Sequence, residues 1–193
     1  MRPAEAHARA LASTRAFVAG VGTDRWGLPT PCENWDVREV VRHVVSGNLW
    51  VGELMGGRTI EEVGDRLDGD VLDDDPLGAY GGSARVADAA FSAPEAMSKM
   101  APVSYGPVPG RVYCGHRLLD VLIHGWDIAK GSRQDAALDP ELVEAVWAVV
   151  EPMREMLTAS GAFGDGSVVA PADADRQTGL LAVLGRSASW PSI

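Results

Sequence analysis

A chain of 193 residues with 46% apolar and 23% charged residues suits one folded domain with a real core, and excludes disorder along its whole length. The net charge of -10 provides no basic face for phosphate, which excludes nucleic acid as the main partner. No apolar run approaches the roughly 20 residues needed to cross a bilayer, and the first residues are too interrupted by charge for a signal peptide. A single domain over residues 1–193, cytoplasmic and without a membrane partner, is therefore expected.

In chain order, Pro3 to about Val18 carries Ala, Leu and Phe at amphipathic-helix spacing, and the Gly- and Pro-rich stretch "GVGTDRWGLPTPCENW" ends it. Asp36 is a good N-cap for a long helix that stops at Gly56 and Gly57. On that helix Val37, Val40, Val41, Val44, Val51 and Met55 form an apolar arc, and His43 lies at the inner edge of it. Residues 64–76 hold six Asp without EF-hand spacing, so they read as a solvated surface loop with little that can pack. Pro76 opens a third helix to about Ser92. The segment "APVSYGPVPG" is a connector with room for a short extended stretch.

A helix from Arg111 to Lys130 follows, ended by Gly131. Asp139 and Pro140 start another, with a kink expected at Pro152. A loop over "GAFGDGSVVAPADAD" leads to a last short helix, "RQTGLLAVLGR". Helices without convincing alternating strands predict an all-α fold, a four-helix bundle with one or two short extra helices.

The stretch "CGHRLLDVLIHGWDIAKG" is largely apolar, yet it carries His116, Asp120, His124 and Asp127, and no other acid or imidazole. At about 100° per residue these four share a stripe roughly 80° wide. The stripe is either the solvent side of an amphipathic helix or a set of ligands pointing into a site. It holds no Lys or Glu, the usual solvent-face residues, and burying Asp and His without partners would be costly. Asp120 and His124, four apart, can reach one ion together, and a bundle core draws further donors from a facing helix. His43 is the candidate third ligand; as a lone His it could equally be a hydrogen-bonded boundary residue.

Asp127 could orient a ligand imidazole through its second ring nitrogen, or simply sit near the helix end. His116 is an alternative ligand with Asp120, or a half-exposed residue near the helix start. Cys32 and Cys114 form no CxxC pair and read as ordinary thiols. Cys114, near the start of the ligand helix, is either lowered in pKa there or a buried structural thiol. The Trp residues anchor core and loops or line a pocket beside the site. No general base or nucleophile can be assigned, and a non-catalytic bundle that captures a small molecule, with a structural metal or none, is the rival reading. Fifteen Arg against two Lys suggest a GC-rich genome.

The segments "TPCENWDVREVVRHVVSGN", "DVLIHGWDIAKGSRQD", "SGAFG" and "DRQTGLLAVLGR", in that order, resemble actinobacterial metal-binding proteins of the DinB-like superfamily related to mycothiol-dependent maleylpyruvate isomerase. The resemblance implies a four-helix bundle with a divalent metal on His43, Asp120 and His124, zinc first and nickel or manganese as alternatives. It further implies that the metal lowers the pKa of a low-molecular-weight thiol, mycothiol, which attacks a small electrophile. The isomerase carries Glu where this chain has the shorter Asp120, and a separate C-terminal domain contributes to its active site. The resemblance thus implies metal binding and thiol chemistry ahead of the isomerase reaction itself. A small-molecule substrate or thiol is the partner it implies, and a homodimer is compatible with it.

Overall fold

Pro3 occupies the first turn of α1 (Pro3–Ala19), where its missing N–H costs no hydrogen bond. In the computed structural model, which describes residues 1–160 and 167–191, α1 is the first of four long helices. The second, α2 (Val37–Gly56), opens on the expected cap: Asp36 accepts from the Glu39 amide while the Glu39 side chain accepts from the Asp36 amide. A one-turn helix that the sequence reading did not include, α3 (Ile60–Val63), is built on the same reciprocal cap between Thr59 and Glu62. The third long helix, α4 (Pro76–Ser92), begins where Asp75 accepts from the Gly78 amide.

One expectation needs correction. The acidic stretch before α4 is not free of packing: Leu72 is buried in the main core, Arg38 holds Asp70 at 3.1 Å, and Ser46 on α2 donates to the Leu67 carbonyl. One apolar side chain and two α2 tethers are enough to pin the loop. The Pro/Gly connector holds the short extended stretch it has room for, an antiparallel hairpin of β1 (Met100–Val103) and β2 (Gly106–Pro109) in which Met100 pairs with Pro109 and Val103 with Gly106. Its Ala101 and Val103 complete a smaller core with Val51, Leu54, Phe91, Tyr113 and Cys114. Two four-residue strands with three prolines between them show no alternation long enough to read, and the hairpin is held by that tertiary contact.

The fourth long helix, α5 (Gly110–Gly131), is one residue longer at each end than expected. It packs on α1 and α2, and those two pack on α4, which closes the four-helix ring. Leu118, Leu122, Ile123, Trp126 and Ile128 of α5 join Val40, Val41 and Val44 of α2 in the main core. Outside the ring, α6 (Pro140–Val150) lies against α5 and α1. Pro152 marks a 3-10 turn, Glu151–Met153, between α6 and α7 (Arg154–Ser160), because it has no N–H to continue the α ladder. Residues 167–175 form no helix or strand, and the rest of the expected loop, with most of "SGAFG", lies outside the described residues. The last helix, α8 (Arg176–Val183), is capped by Asp175 and packs on α6. Among the described residues no helix is long and apolar enough to cross a membrane.

Candidate metal centre

The α2 cap and the turn before it decide where His43 points. Thr30 donates through its hydroxyl to the Trp35 carbonyl, and its own oxygen accepts from the Cys32 amide, so "TPCENW" folds back over the start of α2. This lays the Trp35 ring against His43, centroids 4.8 Å apart, and against His124 at 5.8 Å. On the facing helix α5, Asp120 and His124 stand one turn apart. The His43 and His124 rings meet edge-on at 4.8 Å.

One carboxylate oxygen is the meeting point. Asp120 Oδ1 lies 3.1 Å from His43 Nε2 and 3.6 Å from His124 Nε2. One ligand atom from each of the three residues lies within 4.8 Å of the others. Their side chains are 35%, 16% and 6% exposed for His43, Asp120 and His124, so the cluster is reached from the His43 side. Burial alone would raise the Asp120 carboxyl; the charge of Arg117, together with His43 and His124, outweighs it and holds Asp120 well below the usual carboxylate range.

Arg117, which the sequence reading passed over, is buried in the bundle. Its Nη1 stands 2.8 Å from Asp120 Oδ2, and its Nη2 donates to Asn48 Oδ1, whose amide donates to Ser83. A Cβ at Gly47 would overlap the guanidinium, so glycine leaves its space open. The Arg117 contact is an ion pair off the direction of a hydrogen bond, and among the described residues no hydrogen-bond donor is aligned on the buried Asp120 Oδ2.

Of the other stripe residues, Asp127 is fully buried and its Oδ2 lies 3.0 Å from His124 Nδ1, the orienting contact that was one of its two readings. Burial would raise its carboxyl; the hydrogen bond from His124 and the charge of Arg186 hold it below the ordinary range. His116 does not join the cluster: its Nδ1 pairs with the Tyr105 hydroxyl at 2.6 Å on the hairpin side. Cys114 is a buried thiol, pushed up to about 12 by desolvation. Cys32, in contrast, approaches the site, its sulfur within 4.8 Å of ligand atoms of His124 and Asp127. Burial pushes that thiol up to about 11, with Arg186 opposing and the two Asp charges adding. Asp127 is already engaged by Arg186 and His124, so this second group is a hydrogen-bonded cluster rather than an open donor set.

The first group fits a divalent cation. With Asp127 accepting from Nδ1–H of His124, its Nε2 lone pair faces the Asp120 carboxylate, two acceptors between which a proton or a metal ion can sit. Two imidazoles and one carboxylate suit zinc, nickel or manganese, and three protein donors leave positions open.

Residues 7–129 match the family described as mycothiol maleylpyruvate isomerase N-terminal domain. The chain belongs to this family. All three cluster residues and Asp127 fall inside the family segment, and Arg186 lies beyond it. Among curated relatives, the uncharacterized proteins Rv0738 and MT0763 of Mycobacterium tuberculosis, from strains H37Rv and CDC 1551, are each 40% identical over 142 residues, 74% of either chain. The fold matches crystal structures of the mycothiol-dependent maleylpyruvate isomerase. A point mutant superposes with a TM-score of 0.64 at 16% identity, and the other structure with 0.61 at 17%, each over 83% of this chain and 71% of the isomerase.

Proposed function

We propose that this member of the family binds a divalent metal ion, zinc in the first instance, through His43, Asp120 and His124, and uses it in thiol transfer from mycothiol to a small electrophile. The observation that carries the reading is the convergence of two imidazole nitrogens on one carboxylate oxygen in a partly buried setting. Family membership supports mycothiol as the cosubstrate. A divalent ion held there supplies positive charge that lowers the pKa of an approaching thiol or water.

The chain's own residues do the rest. Arg117 fixes Asp120 from below, and Asp127 fixes the His124 ring. His43, the most exposed of the three, borders the approach, and the Trp35 ring forms an apolar wall beside it. A non-catalytic small-molecule binder is the second reading. It leans on a cavity of about 820 Å³ lined by Arg9, Arg111, Leu118 and Ala145, which shares no residue with the centre.

Elemental analysis of tag-free, extensively dialysed protein tests the proposal. Near-stoichiometric zinc, nickel or manganese is expected, lost in His124→Ala and in His43→Ala. Protein that takes up none even after reconstitution sinks the metal reading and leaves the cavity binder.

A further inference from the structure

Asp127 is gripped from two sides. His124 approaches Oδ2 through Nδ1 at 3.0 Å, while Arg186 places Nη2 3.0 Å from Oδ2 and Nε 3.3 Å from Oδ1. Arg186 Nη1 also donates to the Leu184 carbonyl at 2.9 Å, which ties the guanidinium to the turn after α8. Arg186 is 6% exposed and stands 59 residues from Asp127 in sequence.

We infer that Arg186 is a positioning residue of the metal centre: it fixes Asp127, Asp127 fixes the His124 ring, and α8 is thereby part of the site. This rests on the reading of His43, Asp120 and His124 as ligands. The physical argument concerns orientation. An imidazole turns readily about its outer torsion, and a half-turn exchanges Nδ1 with Cδ2 and Nε2 with Cε1, which takes both nitrogens away from their partners. The contact with Asp127 selects the setting in which Nε2 faces Asp120 and His43. A carboxylate bound only by that imidazole could swing with it. The rigid two-donor fork of Arg186 removes this freedom. Because a guanidinium from the turn that follows α8 completes the support, metal binding and docking of this C-terminal segment favour each other, each strengthening the other by the same factor.

A purely structural role for Arg186, neutralising a buried carboxylate, is the alternative that the experiment must separate. Zinc affinity is measured by competition titration on the dialysed full chain for the parent, Arg186→Met, Arg186→Lys and His124→Ala, with Arg186→Met also in the His124→Ala background. Amide hydrogen exchange of residues 176–183 is followed with and without zinc. Positioning predicts a roughly 10- to 100-fold loss of zinc affinity in Arg186→Met, no further loss in the His124→Ala background, and zinc-induced slowing of exchange in α8 of the parent alone. Folded Arg186→Met that binds zinc within twofold of the parent overturns the inference. Should Arg186→Met not fold, Arg186→Lys decides, because it keeps the charge and loses the fork: reduced affinity supports positioning, and parental affinity overturns it. Should the parent itself take up no zinc, the metal reading fails separately. The inference is then read in metal-free protein from nitrogen NMR of the His124 ring. A single Nδ1–H tautomer in the parent that becomes mixed in Arg186→Lys supports it, and the same single tautomer in both overturns it.

Discussion

His7 and His124 are both buried imidazoles on neighbouring helices, and the bundle treats them in opposite ways. The His7 ring packs edge-on against Phe91 with centroids 5.0 Å apart, and neither nitrogen has a hydrogen-bond partner among the described residues. Desolvation, with the Arg117 charge adding, pushes its pKa down to about 3. His124 is nearly as buried, but it has Asp127 on one nitrogen and faces Asp120 with the other. The difference teaches that burial alone does not orient an imidazole. What does is a carboxylate that fixes one nitrogen and a second acceptor that waits opposite the other.

The strongest way to break this contrast is to strip the partnered side. Asp127→Ala leaves Arg186 a buried cation without its carboxylate and should cost about 3–5 kcal/mol in urea unfolding of the metal-free protein; a loss under about 1 kcal/mol would show that the pair contributes little to stability. Next in size is Gly47→Ala, which presses on the guanidinium that touches Asp120 and lowers His7. Crowding of this kind costs about 1–3 kcal/mol, and it should weaken zinc binding while leaving the helix content unchanged by circular dichroism.

The unpartnered side is sharpened by pH. The folded pKa of His7, about 3, lies below the ordinary 6.5, so the unfolded chain takes up a proton as pH falls through 6.5 while the folded one stays neutral. The His7 contribution is therefore fully present above pH 6.5 and is lost progressively toward pH 3, by about 1.4 kcal/mol at one pH unit below 6.5. His7→Leu removes this dependence. Its stability relative to the parent should improve by about that much between pH 8 and pH 5.5, and an equal difference at both pH values would show that His7 is not held neutral. The smallest effect concerns the thiols. Both are raised by burial, and Cys32 is the less buried of the two, so maleimide at pH 7.5 should label Cys32 slowly and Cys114 only on unfolding. Mass spectrometry showing Cys114 labelled first would contradict the packing of the smaller core.

What the sequence makes legible is whatever repeats locally. Asp36 announces α2 through its cap, the valine arc tells which way α2 faces, and the four-residue step from Asp120 to His124 puts both side chains on one line. Arg117 was open to the same reasoning, since three residues before Asp120 it lies at the border of the polar stripe. Arg186 and Cys32 were not, because their approach to Asp127 is made by the docking of α8 and of the turn before α2, which no periodicity records. The hairpin and Leu72 were hidden for a similar reason: their stability comes from the core they complete.

The residue that follows His124 carries one more consequence. At Gly125 the helices α1 and α5 touch backbone to side chain: Thr14 donates to the Val121 carbonyl at 2.9 Å, and a Cβ at residue 125 would overlap the Thr14 hydroxyl. The crossing therefore has no slack, and α1 acts on α5 as a jig acts on a workpiece. Since a functional constellation tolerates a misalignment of only about 0.5 Å, any bulk at position 125 would throw the neighbouring imidazole out of true. The tolerance of the proposed centre is set on a helix that supplies none of its three candidate ligands.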